Sequence, residues 1–111
     1  MTKENTVKSH REFDAIIQKG ARLRTDHFRL HYLPNGLSHS RIGIAVGKRN
    51  GGAVVRVAIK RQVRAMVAKA DFSSLTIDLI IIVSPEYRRD HFHELEDELL
   101  TAINQIKEKR N

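Results

Sequence analysis

Basic residues recur at helical spacing in the middle of this 111-residue chain. Arg56, Lys60 and Arg64 are four residues apart, so they share one face of a helix, and Arg61 widens that face. Guanidinium and ammonium groups arranged in a row bind anions through charge-assisted hydrogen bonds. The chemistry that this spacing predicts is therefore the binding of a polyanion.

The residues just before this row favour the same chemistry. Lys48 and Arg49 are followed closely by Gly51 and Gly52, and glycines allow the backbone to adopt positive φ and to approach a ligand at a helix start. The whole stretch 48–69 contains seven basic residues and no acid. We expect it to present a continuous cationic surface.

Charge is segregated along the chain as well as within this stretch. No Asp or Glu occurs between Asp26 and Asp71, and this interval carries nine of the 20 Lys and Arg residues of a chain whose net charge is +7. A charged face that is only solvated normally mixes both signs. The segregation favours a polyphosphate partner, because each neutralised phosphate releases counterions and adds to affinity.

The other residues that could do chemistry give weaker patterns. His27 and His31 share a face of a predicted strand but lack a third ligand, and His91 and His93 lack the spacing of a helical zinc pair. Four acids near the start of the last predicted helix could bind Mg²⁺, namely Glu94, Glu96, Asp97 and Glu98. Acids crowded at a helix start are usually solvated, however, and no nucleophile or phosphate-loop motif occurs. We therefore predict no catalytic residue, no metal site and no cofactor within this chain.

The basic row must lie on a helix that also packs against a core. Six apolar residues share an arc next to the cationic face: Val55, Ile59, Val63, Met66, Val67 and Ala70. Residues 1–8 are predicted to form a loose arm. After them, Ser9 and Glu12 form a capping box that begins a short helix, and Gly20 ends it.

Strands and one further helix complete the predicted fold. Alternating or continuous apolar patterns indicate strands at residues 22–24, 27–33, 42–46 and 77–83, and the last of these is expected to be interior and parallel to a neighbour. A final amphipathic helix is predicted over about residues 90–107. The order is α-β-β-β-α-β-α, an α+β two-layer sandwich of helices on a mixed sheet, in a single domain over residues 1–111.

One face of the predicted sheet carries small side chains. Gly43 and Ala45 point away from the apolar side of their strand, so another group can lie close to the sheet there, with Arg29 and His31 as a polar border. The alternative is that the first helix alone packs on this face, with Phe13 as a core anchor.

One stretch of the chain resembles the signature of the bacterial ribonuclease P protein component. It covers residues 46–64, VGKRNGGAVVRVAIKRQVR, and Gly43 lies before it. Nine positions match it in register: Lys48, Arg49, Gly51, Ala53, Val54, Arg56, Lys60, Arg61 and Arg64. Val57 stands where the family has Asn, and Ala58 where it usually has Arg or another polar residue. The resemblance extends to the first helix through Glu12, Phe13 and Gly20.

The resemblance implies a fold and an activity. That family's fold has the same element order, resembles the second domain of ribosomal protein S5 and contains a left-handed β-α-β crossover, whereas sequence patterns alone predict a right-handed one. The chain would be the RNA-binding protein subunit of ribonuclease P, an endoribonuclease that removes the 5′ leader of precursor tRNA. Its RNA subunit performs the Mg²⁺-dependent hydrolysis, and the protein supplies no catalytic residue.

The resemblance also assigns residues to two binding surfaces. The RNA subunit would be bound by Lys48, Arg49, Arg56, Lys60, Arg61 and Arg64. The precursor leader would lie in a cleft lined by Phe13, Ile17, Arg29 and His31. Ile17 and His31 occupy positions where family members often have aromatic residues, so stacking on bases would be weaker here.

Composition limits the partners and the compartment. The longest apolar run, residues 79–83, is too short to span a bilayer, no secretory segment is visible and there is no cysteine. We expect a cytoplasmic protein whose partners are ribonuclease P RNA and precursor tRNA, with no membrane and no DNA. A ribosome-associated RNA-binding protein of the same fold is the alternative. A helix-turn-helix DNA repressor is disfavoured, since glycines and strands precede the basic helix.

Overall fold

Seven helices and strands follow one another in the predicted order α-β-β-β-α-β-α. The computed structural model describes residues 6–7, 9–73 and 75–110. The elements are α1 (His10–Lys19), β1 (Ala21–Arg24), β2 (Phe28–Pro34), β3 (Arg41–Val46), α2 (Ala53–Val67), β4 (Ile77–Val83) and α3 (Phe92–Arg110). Short 3-10 turns, Lys48–Asn50 and Arg89–His91, directly precede α2 and α3.

The sheet is mixed, and its strands are ordered β1-β2-β4-β3. β4 lies between β2, to which it is antiparallel, and β3, to which it is parallel. Its side chains are largely buried on both faces, as its apolar sequence requires. The prediction of an interior strand parallel to a neighbour is therefore confirmed, while the handedness of the β3-α2-β4 crossover stays a prediction.

Helices cover both faces of the sheet. The main core joins one face to α2 and α3, with these residues fully buried: Leu30, Leu79, Ile81, Ile59, Val63, Leu99 and Ile103. The apolar arc predicted on α2 is confirmed, since Ile59, Val63, Met66 and Val67 are all buried. On the opposite face α1 lies alone, and its Ile16 packs on Ile80. In the described part of the chain no helix is long and apolar enough to cross a membrane.

Both ends of α1 are set by local chemistry. The Ser9 hydroxyl accepts a hydrogen bond from the Glu12 backbone N–H at 3.1 Å, which is the predicted capping interaction. A side chain at Gly20 would place its Cβ 2.5 Å from the carbonyl oxygen of Ile16 and 2.6 Å from that of Tyr32. Only glycine therefore fits where α1 ends against β2.

The N-terminal arm differs from its prediction where the structure describes it. Thr6 bridges to Ile42 beside β3, and the Val7 backbone N–H donates to the Ile42 carbonyl at 3.2 Å. Val7 is buried under α1. The prediction of a loose arm is wrong for these two residues, because an apolar side chain and a free strand edge hold them. Residues 1–5 and 8 lie outside the described part.

Arg41 ties α1 to the sheet. Its guanidinium donates to both carboxylate oxygens of Asp78, at 2.8 and 2.6 Å, and contacts a Glu12 oxygen at 2.7 Å. The hydrogen bonds to Asp78 raise the pKa of Arg41. Burial opposes the ionisation of Asp78, but hydrogen bonds from Arg41 and Asn35 outweigh it and lower the pKa of that carboxyl. Arg41 therefore links β3, β4 and the first turn of α1.

Two of the acids near the start of α3 serve the fold. Glu98 accepts hydrogen bonds from the Thr25 hydroxyl at 2.6 Å and from the His27 backbone N–H at 2.7 Å, and it contacts the His27 ring at 2.8 Å. These bonds outweigh burial and lower the pKa of Glu98. Glu96 is buried and forms an ion pair with Lys69 at 2.9 Å. The expectation that these acids are solvated is wrong for both, because tertiary partners lie within reach.

Candidate nucleic-acid interface

The cationic surface consists of the six residues that the sequence singled out on α2 and the turn before it. Arg61 and Arg64 are exposed on α2, Arg56 and Lys60 are partly buried at its border, and Lys48 and Arg49 are exposed on the 3-10 turn. None of the six forms an ion pair with a carboxylate in the part of the chain that the structure describes. Their charges are therefore available to an outside anion.

Two apolar side chains lie on the exposed side of the same helix. Val57 is 55% exposed and Val54 is 83% exposed. On a helical wheel Val57 falls between Arg64 and Arg61, so it faces outward within the cationic surface. Val54 follows the same side one turn earlier, a position that was not predicted from the sequence. A partner bound by the arginines would contact both valines.

Hydrogen bonds hold the turn and α2 in place. The Asn50 side-chain amide donates to the Ser84 carbonyl at 2.7 Å, just beyond β4. The Tyr87 hydroxyl donates to the Gln62 side-chain oxygen at 2.8 Å, and burial raises the pKa of Tyr87 to about 12, so it stays a donor. At Gly51 the backbone has a φ of 135°, a conformation that other residues rarely adopt. This glycine allows the turn to lead directly into α2.

A groove lies between the first turn of α1 and the C-terminal end of β3. Phe13 is partly buried and packs on Gly43, where an added Cβ would lie only 2.6 Å from the Phe13 ring. Phe13 also lines an open depression of about 400 Å³ together with Ala45 and Lys60. The two readings of Phe13 are compatible, since it packs on the sheet and presents its remaining surface to the groove. Lys60 connects this groove to the cationic surface.

The other three residues assigned to the leader cleft are placed differently. Arg29 is exposed, and His31 is only 5% exposed, so little of its ring could stack on a base. Both line a second depression, of about 250 Å³, together with Arg22 and Arg24 of β1. Ile17 is partly buried on α1 and lines neither depression.

His31 is neutral near pH 7. Burial, followed by the nearby charges of Arg29 and Arg22, lowers the pKa of this imidazole below its usual value. Its Nδ1 atom is buried and has no hydrogen-bond partner among the described residues. The ring therefore retains an unused polar atom beside a cluster of cations.

The histidines and acids of the described residues do not converge on a metal site. Among the described residues no group of three or more His, Cys, Asp or Glu side chains could hold a metal ion. His27 and His31 have different surroundings, because His27 contacts Glu98 whereas His31 lies on the α1 face of the sheet.

Comparison with known proteins identifies the family that carries these surfaces. The family model described as Ribonuclease P matches residues 1–107. The chain belongs to the ribonuclease P protein family. It is 31% identical over 111 residues to the ribonuclease P protein component of Streptococcus pyogenes, covering 98% of this chain and 93% of that protein. It is 32% identical over 103 residues to that of Streptococcus agalactiae, covering 93% and 94%.

Solved structures of ribonuclease P proteins share the fold. A mutant of the Staphylococcus aureus protein superposes with a TM-score of 0.84 at 27% identity, covering 95% of this chain and 90% of that one. The Thermotoga maritima protein superposes with a TM-score of 0.75 at 27% identity, covering 86% and 92%. The predicted α+β fold class is thereby confirmed, and membership of the ribonuclease P protein family implies a role in tRNA processing.

Arg22 and Arg24 were missed as site residues in this ribonuclease P family member. Their alternation with Leu23 indicated a strand, and two residues two apart on a strand share a face. Which neighbours they meet depends on strand register, which pairs Arg22 with His31 and Arg24 with Arg29. The sequence indicated only that Arg22 and Arg24 share one face of a strand. The strand register adds that this face also carries Arg29 and His31, so the four side chains lie together.

Proposed function

We propose that this protein is the subunit of ribonuclease P that binds the catalytic RNA and the 5′ leader of precursor tRNA, and so assists 5′ maturation of tRNA. The observation that carries the proposal is the cationic surface of α2 and its preceding turn. Six basic side chains lie there without a carboxylate partner in the described part of the chain, on a chain of net charge +7. A surface of this kind binds phosphates.

The RNA subunit is the partner proposed for this surface. Arg61 and Arg64 would contact phosphates directly, and Arg56 and Lys60 would bind at the border with the sheet. Arg56 is partly exposed, and its side chain forms no ion pair with a described carboxylate. Lys48 and Arg49 extend the contact onto the turn, where the backbone is held by Asn50. A rigid helix and a fixed turn lower the entropic cost of binding.

The leader of precursor tRNA is the ligand proposed for the groove. The groove offers a partly exposed aromatic ring at Phe13, small side chains on the sheet and a cation at Lys60, and the second depression adds Arg29. Single-stranded RNA is bound by this combination of stacking surface and positive charge. His31 would extend the contact into the second depression, and the assignment of Ile17, which lines neither depression, rests on the family resemblance alone.

Hydrolysis is assigned to the RNA subunit, with Mg²⁺ bound in the holoenzyme. The side chains of the described residues offer no metal-binding cluster, and the protein's role is to position RNA. We place the protein in the cytoplasm with its RNA partner and precursor tRNA. The protein is thus a component of an endoribonuclease without contributing catalytic residues of its own.

Reconstitution tests this function. The protein alone should leave precursor tRNA intact, and together with a bacterial ribonuclease P RNA and Mg²⁺ it should promote removal of the leader at moderate salt. An Arg61→Ala/Arg64→Ala variant should lose this effect, while Lys109→Ala, which removes an exposed cation from α3, should keep it. Cleavage by the protein after removal of all RNA would contradict the assignment. Recovery of ribosomal RNA instead of ribonuclease P RNA from purified complexes would favour the ribosome-associated alternative.

The groove is tested separately through Phe13. Phe13→Ala should weaken binding of leader-bearing precursor more than binding of mature tRNA, because only the precursor has a segment to occupy the groove. Equal losses for both tRNAs, or a large loss of thermal stability, would show that Phe13 acts as a packing residue alone.

A further inference from the structure

Four side chains at the β1 edge of the sheet form a cationic cluster beyond the groove. Strand register places Arg22 opposite His31 and Arg24 opposite Arg29, and directly opposed residues point to the same face. The four side chains surround the open depression of about 250 Å³. This face is the one that carries α1, because His31 is also opposite Ile80, against which Ile16 packs.

The cluster has no internal counterion in the described part of the chain. Arg22, Arg24 and Arg29 are all exposed, and none of their side chains forms an ion pair or a hydrogen bond with a described residue. His31 is 5% exposed and its Nδ1 atom has no hydrogen-bond partner there. Like charges placed together repel one another, and a bound anion would relieve that repulsion. Guanidinium groups match the geometry of phosphate oxygens particularly well.

The cluster is continuous with the groove. Strand pairing aligns Ala45, Ile82, Arg29 and Arg24 in one row across all four strands. Because neighbouring strands lie about 4.8 Å apart, this row is about 15 Å long. Its first residue, Ala45, lines the depression that contains Phe13 and Lys60, and its last residue belongs to the cationic cluster. An extended strand of RNA held in the groove can therefore reach the cluster.

We propose that Arg22, Arg24, Arg29 and His31 form a phosphate subsite at the sheet edge that binds a backbone phosphodiester in the distal part of the leader. This inference rests on the proposed function, because it extends the track of the same leader. The arginines donate to the non-bridging phosphate oxygens, and the neutral His31 ring completes the floor. Affinity for precursor tRNA then rises when the leader becomes long enough to cross the sheet.

The first experiment compares leaders in the reconstituted holoenzyme. Arg22→Ala/Arg24→Ala should bind a precursor with a long leader about tenfold more weakly than wild type, the effect of losing a charged hydrogen bond. A precursor whose leader ends before the sheet edge should bind the variant and wild type equally. Lys109→Ala removes one exposed positive charge on the opposite side of the sheet and should affect neither substrate. Thermal melts should show intact folding, since both arginines are exposed.

The second experiment needs no protein variant to locate the phosphate. Neutral methylphosphonate linkages placed one at a time along the leader should weaken binding to wild type at one distal position. In a double-mutant cycle, that linkage should have no further effect on Arg22→Ala/Arg24→Ala. The subsite is contradicted if the linkage and the arginine substitutions weaken binding additively. It is also contradicted if no distal methylphosphonate weakens binding to wild type.

Three remaining outcomes separate this inference from the proposed function. If the double variant binds the RNA subunit more weakly in the absence of precursor tRNA, the arginines contact that RNA and the leader subsite is overturned. If wild-type holoenzyme does not prefer leader-bearing precursor to mature tRNA at all, the proposed leader function fails, and the subsite fails with it. If wild type shows the preference and the arginine variant keeps it for long leaders, the subsite alone fails.

Discussion

Val57 is the position at which the cationic surface departs from the family pattern. Its side chain is 55% exposed between Arg61 and Arg64, so it faces the proposed RNA partner without offering a hydrogen bond. We expect Val57→Asn, alone or with Ala58→Arg, to tighten binding to the RNA subunit by about 1 to 2 kcal/mol. Competition binding at fixed salt measures this change.

A control places an Asn on another helix. Thr101 is exposed on α3, so Thr101→Asn adds the same amide away from the cationic surface. This variant should not tighten binding. If Val57→Asn leaves affinity unchanged while thermal melts show an intact fold, position 57 does not face RNA.

Gly43 fixes how closely α1 approaches the sheet. In Gly43→Ala the new Cβ would lie 2.6 Å from the Phe13 ring and 2.8 Å from Ile80 Cδ1, so these two side chains must shift. We expect a loss of about 1 to 3 kcal/mol in the free energy of unfolding, the usual range for overpacking. Urea denaturation measures it. Gly47→Ala, where an added Cβ meets nothing within 4 Å, should be close to neutral, and an equal loss in both variants would contradict the packing argument.

At the scale of elements, the position of α1 depends on Arg41. Removing its charge in Arg41→Gln leaves the buried Asp78 carboxylate without its main partner. We expect the free energy of unfolding at pH 7 to fall by about 3 kcal/mol, the lower end of the range for breaking a buried pair. Leader binding should weaken as well, because Glu12 and the first turn of α1 lose their link to the sheet.

The same pair predicts a dependence on pH. The folded-state pKa of Asp78 is lowered, so the stabilisation from its ionised form is present above its unfolded pKa of about 3.9 and is lost as pH falls through the folded-state value. The stability difference between wild type and Arg41→Gln should therefore shrink below about pH 4. Arg88→Gln breaks the exposed pair with Asp90 and serves as control, with no measurable change expected at either pH. A pH-independent difference for Arg41→Gln would exclude Asp78 as its cause.

The helices and strands were largely predictable from periodicity, whereas their neighbours were not. Ser9 and Gly20 predicted the bounds of α1, and the arc from Ile59 to Val67 predicted the buried face of α2. Alternation reports the two faces of a strand but contains no information on which strand lies beside it. The order β1-β2-β4-β3 and the contact of Val7 with β3 depend on tertiary pairing.

The candidate site also has a part that could be predicted from the sequence and a part that could not. The cationic surface could be predicted because all six residues are local in sequence and share one helix and its turn. The sheet-edge cluster could not, because Arg22 meets His31 only through the register of β1 and β2. Glu98 was misread for a related reason, since its partners Thr25 and His27 are more than 70 residues away along the chain.

At the scale of the whole molecule, the charge distribution predicts how the proposed association with RNA depends on salt. If the six residues of the cationic surface neutralise about six phosphates, the logarithm of RNA affinity should fall against the logarithm of salt concentration with a slope of about −4 to −5. Titrations with the RNA subunit over a range of monovalent salt measure this slope. Arg61→Ala/Arg64→Ala should reduce its magnitude by about 1 to 2, whereas Lys109→Ala should leave it unchanged.

A flat salt dependence would show that phosphate contacts do not drive association. A slope that is equally steep for Arg61→Ala/Arg64→Ala and wild type would place the contacts on another surface. The two results are distinguishable, because the first rejects the electrostatic mechanism and the second rejects only its assignment to α2.

The central position of β4 also determines when the molecule can fold during synthesis. β2 and β3 each pair with β4, which begins at Ile77, and not with each other. A nascent chain that ends before Ile77 has only the β1-β2 hairpin, while the cationic helix has no completed sheet beneath it. Such long-range pairing slows folding and leaves apolar surface exposed until the strand arrives. The sheet that supports α2 can therefore be completed only late in translation, after more than two-thirds of the 111 residues have been made.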